Sequence, residues 1–291
     1  MKKQLYSLLL LILVALSVSA QTSEQTETEK NLRTHVSYLA SDQLEGRRTG
    51  EKGATFAAGY VANMFASFKL KTGVISSGVG NEKDSFMQAF PYVSAVEAGK
   101  ESSLQLSNTK KITDMVLSAD WAPLGFSPNA DIPFADVVYA GFGITSEKLK
   151  YDDFSGVDAA GKIVLAFDGT PDYENPHNEY FLFNAHAKAN IAKEKGAKAL
   201  ILISRAANFS DDKLALSFDQ TLGETAVPTI VISRQAAARF LKTSEADLAA
   251  EEKLLNEKAE GKANNAASKF IGKLPLLANL KVDIIKKATD A

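Results

Sequence analysis

The chain has 291 residues, 45% hydrophobic and 23% charged, which is ample for a buried core and excludes a disordered chain. A formal charge of −2, with no run of Lys or Arg interleaved with aromatics, excludes an electrostatic case for nucleic acid. The absence of cysteine excludes disulfides, thiolate nucleophiles and Cys-based zinc sites.

The first segment reads as a targeting leader. Lys2 and Lys3 precede the apolar run Leu8 to Leu16, and Val18-Ser-Ala20 places small residues before Gln21. That pattern predicts a signal peptide over 1–20, cleaved after Ala20, and a periplasmic or extracellular mature chain with no membrane association. The apolar run falls short of the ~20 residues that span a bilayer.

Leu32, Val36 and Leu39 recur at helical spacing and predict a helix through about Ala40. The polar turn Ser41-Asp-Gln-Leu-Glu-Gly-Arg-Arg-Thr-Gly50 follows. A second helix is expected from about Lys52, with Phe56, Tyr60, Phe65 and Phe68 along one face and Gly73 as its stop. Phe86 to Val93 and Ser103 to Ser107 read as a hairpin-like pair of strands. Asp131 to Asp136 leads into Val137 to Ile144, a strand closing on Gly141 and Gly143.

Tyr151-Asp-Asp-Phe-Ser-Gly156 reads as a turn-rich loop, and Gly161 to Asp168 contains a buried strand. A helix from Phe183 to Lys195 then feeds the apolar strand Ala199 to Ser204. Val227 to Ile232 is another such strand, after which Ser233 is placed to cap a helix. The charged, Ala-rich stretch Ser244 to Lys262 reads as a solvated helix, and Leu280 to Ile285 as a last strand.

Chemistry-bearing residues are few. A catalytic zinc needs about three His, Asp, Glu or Cys ligands and an open position. The three histidines, His35, His177 and His186, have no zinc-motif context. His35 belongs to the polar side of the first helix, and His186 packs or caps at the start of a later one. The loop Pro171 to His177 reads as a solvated turn, with a cation held by Asp172, Glu174, His177 and Glu179 as the alternative. Asp152 and Asp153, with Asp158, could suggest paired carboxylates or a calcium loop. The plainer reading is carboxylates that bond local backbone amides. Asp211-Asp212 reads as a surface turn. No Gly-x-Ser-x-Gly elbow and no three-glycine dinucleotide fingerprint occurs.

Two stretches carry a family resemblance. Leu39-Ala-Ser-Asp-Gln-Leu-Glu-Gly-Arg-Arg-Thr-Gly50, within residues 31–70, resembles the opening of the aminopeptidase Y-like family of di-zinc metallopeptidases. Residues 136–232 resemble the protease-associated domain inserted in that family, through Val137-Val-Tyr-Ala-Gly-Phe-Gly-Ile144, Tyr151-Asp-Asp-Phe154, Gly161-Lys-Ile-Val-Leu165, Glu194-Lys-Gly-Ala-Lys-Ala-Leu200 and Val227-Pro-Thr-Ile-Val-Ile-Ser-Arg234. The resemblance implies a mixed α/β fold. A protease-associated domain of strands flanked by helices would follow two helices and a β-hairpin that pack on a peptidase domain absent from the sequence. The implied domains are 21–130 (peptidase-like helices and strands), 131–275 (protease-associated domain) and 276–291 (a return strand pairing near Phe86 to Val93).

The resemblance also implies zinc only in that absent domain, hence no cofactor in this chain. The family signature is Asp42, Glu45, Gly46, Arg47, Arg48 and Gly50. The binding loops it points to hold Tyr151, Asp152, Asp153, Asp172, Glu174 and His177. A peptide or protein, or a separate zinc peptidase domain, is the expected partner. The expected role is a non-catalytic, exported binding module. The alternative is the front part of a secreted zinc aminopeptidase, and on that reading the apolar helix faces, Phe56, Tyr60, Phe65 and Phe68, stay exposed.

Overall fold

The computed structural model describes residues 26–72, 86–108, 111–175, 177–205, 227–261, 268, 270 and 272–290. The leader (1–20), Gly73 and Asp211-Asp212 lie outside the described residues. The chain divides into two compact units, Met1–Pro91 with Asp290–Ala291, and Tyr92–Thr289. Residues 92–130 and the last strands therefore share a unit with 131–275.

In the smaller unit, helix α1 covers residues 26–39 and helix α2 covers Lys52–Ser67, joined by a 3₁₀ turn over Asp42–Arg47. The Nδ1 of His35 lies 2.6 Å from the Tyr60 hydroxyl, and Tyr38 stacks on Tyr60 at 4.3 Å, so one aromatic group ties the helices together. Tyr60 is thereby half-buried, whereas Phe56, Phe65 and Phe68 remain 56%, 40% and 63% exposed, as the sequence led us to expect for those three. The helix stops at Ser67, ahead of the glycine expected to end it, because Lys69 takes the left-handed conformation at φ 54°.

The signature turn is held from beneath. Leu44 is buried, and a Cβ added to Gly53 would drive into the Leu44 carbonyl. Backbone on both sides leaves no flexible group to yield, so Gly53→Ala is expected to cost about 3 kcal/mol. Faster tryptic cleavage at Arg47 and Arg48, with lower helical circular dichroism, is the measurement.

In the larger unit, strands β1 (Pro91–Ala98), β2 (Ser103–Asn108), β3 (Lys111–Met115), β4 (Trp121–Pro123) and β5 (Ala130–Tyr139) come first. A short pair, β6 (Thr145–Ser146) and β7 (Tyr151–Asp152), precedes β8 (Ile163–Phe167) and helix α3 (Ala185–Glu194). Strands β9 (Ala199–Ile203) and β10 (Thr229–Ile232), helices α4 (Arg234–Leu241) and α5 (Glu245–Ala259), then β11 (Gly272–Val282) and β12 (Ile284–Asp290) complete it.

Eight strands form one sheet in the order β3-β2-β11-β5-β8-β9-β10-β4. The four strands β5, β8, β9 and β10 run parallel, while β4, β11, β2 and β3 pair antiparallel with their neighbours. Every residue of Ile163-Val-Leu-Ala-Phe167 and of Ala199-Leu-Ile-Leu-Ile203 is buried, the signature of strands covered on both faces. Alternation splits them: Val164, Leu200 and Leu202 meet Ala189 and Ala192 of α3, whereas Leu165, Ile201 and Ile203 belong to the core with Phe240 of α4 and Leu248 and Leu255 of α5. Asn184 caps α3 through Ala187 N, Ser233 caps α4 through Ala236 N, and Ser244 with Asp247 forms a capping box on α5.

Three sequence expectations are corrected. Residues Phe86 to Phe90 precede the strand, which starts at Pro91, and β1 pairs with β12 instead of forming a hairpin with β2. The terminal stretch is two strands broken at Asp283, whose carbonyl accepts from Gly99 N at 2.7 Å. Helix α5 is not simply solvated: Leu248, Glu251 and Leu255 are buried.

Candidate functional site: a constrained loop over a buried polar cluster

The segment 168–184 leaves the carboxyl end of β8 and returns as α3, at the edge of a parallel sheet where chain reversals gather side chains of different strands. Its two ends are stapled by Lys188. This side chain is 1% exposed, and its ammonium donates to the carbonyls of Phe167, at 2.8 Å, and Gly169. Burial pulls the Lys188 pKa down to about 8, the nearby carboxylates Asp168, Asp153 and Glu252 opposing the shift.

Internal hydrogen bonds then fix the loop. Asp172 adopts φ 51°, its carboxylate accepts from Asn175 Nδ2 at 2.8 Å, and its carbonyl accepts from Asn178 Nδ2 at 2.8 Å. The His177 backbone N–H donates to Asn175 Oδ1 at 3.0 Å. Helix α5 reaches across, with Asn256 Oδ1 accepting from Asp172 N at 2.9 Å. Glu174 pairs with Arg205 at 2.7 Å, and that guanidinium lies 3.9 Å above the Tyr173 ring. A groove of about 340 Å³ runs between this loop and α5, lined by Thr170, Tyr173, Arg205, Lys253 and Asn256.

With its backbone so constrained, the loop turns three large apolar side chains outward: Tyr173, Phe181 and Leu182 are 55%, 63% and 78% exposed. Sequence reasoning missed all three, with Lys188 and Arg205. The available signal was the apolar run Tyr180-Phe-Leu-Phe183, which adjoins the helix expected from Phe183.

Of the candidate residues, Asp172, Glu174 and His177 share this loop. The other three lie inward. Tyr151 and Asp153 are only 4% and 5% exposed. Asp152 Oδ1 accepts from Thr145 Oγ1 at 2.8 Å and from Phe154 N at 2.9 Å, closing the β6–β7 turn. Asp153 Oδ2 accepts from Phe142 N at 2.9 Å and Ile144 N at 3.2 Å, which holds the turn built on Gly141 (φ 43°) and Gly143 (φ 71°). Gly141 is required there, since a Cβ would strike the Asp153 carboxylate.

The Tyr151 ring meets the Tyr180 ring edge-on at 5.4 Å, so the inward residues sit directly behind the loop. Burial pushes Asp153 up to about 6, against the lowering effect of its backbone donors and of Lys258, whose Nζ is 3.9 Å away. Asp158 faces solvent with Lys162, at 2.6 Å.

The signature residues Asp42, Glu45, Arg47 and Arg48 are exposed in the smaller unit, and Glu45, Gly46 and Arg47 take positive φ in succession, 47°, 74° and 58°. Gly50 also takes positive φ, 79°. His35 is engaged with Tyr60, His186 stacks on Phe126 at 3.7 Å, and His177 sits in the loop. Among the described residues no group of three or more His, Cys, Asp or Glu converges to hold a metal ion. Nor is any helix of the described residues long and apolar enough to cross a membrane.

The larger unit thus sets a parallel β-layer between helices, extends it with antiparallel strands, and turns Tyr173, Phe181 and Leu182 outward on one constrained loop. Residues 133–240 match the PA domain family, so this part of the larger unit is a protease-associated domain, as the resemblance of 136–232 implied. No curated protein matches the chain in sequence. Among solved structures, the chain is similar to an aminopeptidase from Aneurinibacillus sp. strain AM-1, at 19% identity and TM-score 0.39, covering 90% of this chain and 46% of that one. A zinc aminopeptidase from Bacillus subtilis is similar at 17% identity and TM-score 0.32, covering 90% and 45%. A peptidase M28 precursor from Shewanella amazonensis SB2B is similar at 12% identity and TM-score 0.34, covering 92% and 52%. The chain thus spans about half the length of each of these proteins.

Proposed function

We propose that this is an exported, non-catalytic protein whose protease-associated domain binds a peptide or a protein partner through the β8–α3 loop. One observation carries the reading: a loop tied down at both ends and across its middle still turns Tyr173, Phe181 and Leu182 into solvent. Ordering apolar side chains on a fixed backbone in advance lowers the entropic cost of binding, and rigid scaffolds characteristically present recognition loops in this way. Export rests on the leader, and mass spectrometry of the mature protein should find Gln21 at its N-terminus.

The test of binding uses the mature chain against an immobilised peptide library, followed by titration of the best peptide. The double substitution Phe181→Ser, Leu182→Ser is expected to weaken that peptide at least tenfold while leaving the thermal transition in place. Unchanged affinity would overturn the assignment of the loop.

A second reading makes the chain the front part of a zinc aminopeptidase, its catalytic residues elsewhere. The exposed Phe56 and Phe65 of α2 and Phe68 just beyond it favour this reading, because such a face is suited to cover by another domain. Stoichiometric zinc together with aminopeptidase turnover by the purified chain would sink the non-catalytic reading.

A further inference from the structure

The carboxylate of Asp153 is an interior acid behind the loop, and its two oxygens are treated differently. Oδ2 is saturated by Phe142 N and Ile144 N. Oδ1 and the Tyr151 hydroxyl beside it are buried, and neither forms a full hydrogen bond. Lys258 of α5 packs beside them. Its side chain is 44% exposed, it lies across the Tyr151 ring at 5.3 Å, and its Nζ stands 3.9 Å from Oδ1. Half a turn earlier on the same helix, Asn256 holds the backbone of Asp172 in the loop.

We propose that Asp153 and Lys258 form a proton-operated gate, in which the end of α5 and the loop tied to it close as pH falls and open as pH rises. The gate rests on the reading of this loop as the recognition element only for its biological use. Its physics is independent of any ligand. With Oδ2 already accepting two N–H groups, an incoming proton goes to Oδ1, and the neutral acid can then donate where the carboxylate could only accept. Closure buries the group and raises its pKa to about 6, whereas an opened, hydrated Asp153 returns to about 4. The form that binds the proton more tightly gains population on acidification, so the closed form is favoured below about pH 6.

The groups facing Asp153 are Tyr139 from β5, Tyr151 from β7, Tyr180 from the loop, Lys188 from α3 and Lys258 from α5. The tyrosines are raised above their ordinary values and stay neutral throughout this range. The two lysines favour the ionised carboxylate without offsetting its burial.

Hydrogen exchange tests the gate without ligand. The amides of residues 254–260 and of Asp172, corrected for intrinsic rates, are expected to lose about tenfold in protection between pH 5.0 and 7.5, the change that two pKa values of about 6 and 4 dictate. In Asp153→Asn the protection becomes flat with pH. In Lys258→Met, which removes the nearest cation and a half-exposed side chain, the step survives and moves to higher pH. Flat protection in the unmodified protein overturns the gate. A step retained in Asp153→Asn assigns it to another group and also overturns the gate. Should Asp153→Asn not fold, an unmoved step in Lys258→Met has the same force. Loss of peptide binding in the Phe181→Ser, Leu182→Ser protein, with the exchange step intact, separates this inference from the recognition reading.

Discussion

Trp121→Ala is expected to lower the unfolding free energy of the larger unit by about 4 kcal/mol, the range found when a fully buried aromatic is truncated. Trp121 is completely buried in β4, opposite Ile232 of β10, and closes that edge of the sheet. Its Nε1 donates to the carbonyl of Met115 at 3.1 Å, so truncation leaves both a cavity and an acceptor without its donor. Trp121→Phe separates the two losses. It keeps most of the packing and gives up the N–H, and is expected to cost about 1–2 kcal/mol. Because Trp121 is the chain's single tryptophan, its fluorescence follows unfolding of this edge directly in the unmodified protein. Both variants are read by denaturant titration of circular dichroism. A Trp121→Ala midpoint equal to the unmodified one would show that β4 adds nothing to the cooperative core.

The second large effect has the opposite sign. Asp153→Asn is expected to stabilise the larger unit by about 2 kcal/mol at pH 7.5. A carboxyl that titrates at about 6 when folded and near 3.8 otherwise holds more protons in the native state between those values. Its ionisation therefore costs stability, and that cost is fully present above about pH 6 and disappears as pH falls toward 4. An asparagine oxygen can still accept from Phe142 N and Ile144 N, so the Gly141–Gly143 turn keeps its anchor. The lost attraction to Lys258 is the competing effect. It is the smaller one, because the Lys258 side chain is 44% exposed and water solvates the freed ammonium. The difference in stability between variant and parent should thus be large at pH 7.5 and vanish by about pH 4. A variant less stable than its parent at pH 7.5 would mean that the ion pair outweighs burial.

The parts legible in the sequence were those whose information is local. Ile163 to Phe167 and Ala199 to Ile203 are runs of large apolar residues, and Ser233 precedes its helix by one position. Pairing was not legible in the residues themselves: the family resemblance implied a return strand pairing near Phe86 to Val93, and β12 does meet β1, but nothing in either strand names the other. Nor was the seat of α5: Glu251 buries its charge type on a helix whose composition is that of a solvent-facing one, and its partner, the Tyr139 hydroxyl at 3.3 Å, lies 112 residues earlier. Asp153 was read correctly as a carboxylate bonding nearby amides. Its burial was hidden because the donors belong to backbone at Phe142 and Ile144, which carry no side-chain signature. The loop's apolar residues escaped notice because they border a helix and share its composition.

The position of β11 has a consequence for biosynthesis. This strand lies between β2 and β5, yet it is made after both, and after every other strand of the main sheet. During vectorial synthesis the β2–β3 ribbon and the β5-β8-β9-β10 block can each assemble, but each keeps a bare edge until residue 282 has emerged. Strand edges that wait in this way are templates for pairing with another nascent chain. Strand β11 acts as a keystone, and the period before it is set is when the protein most needs a chaperone.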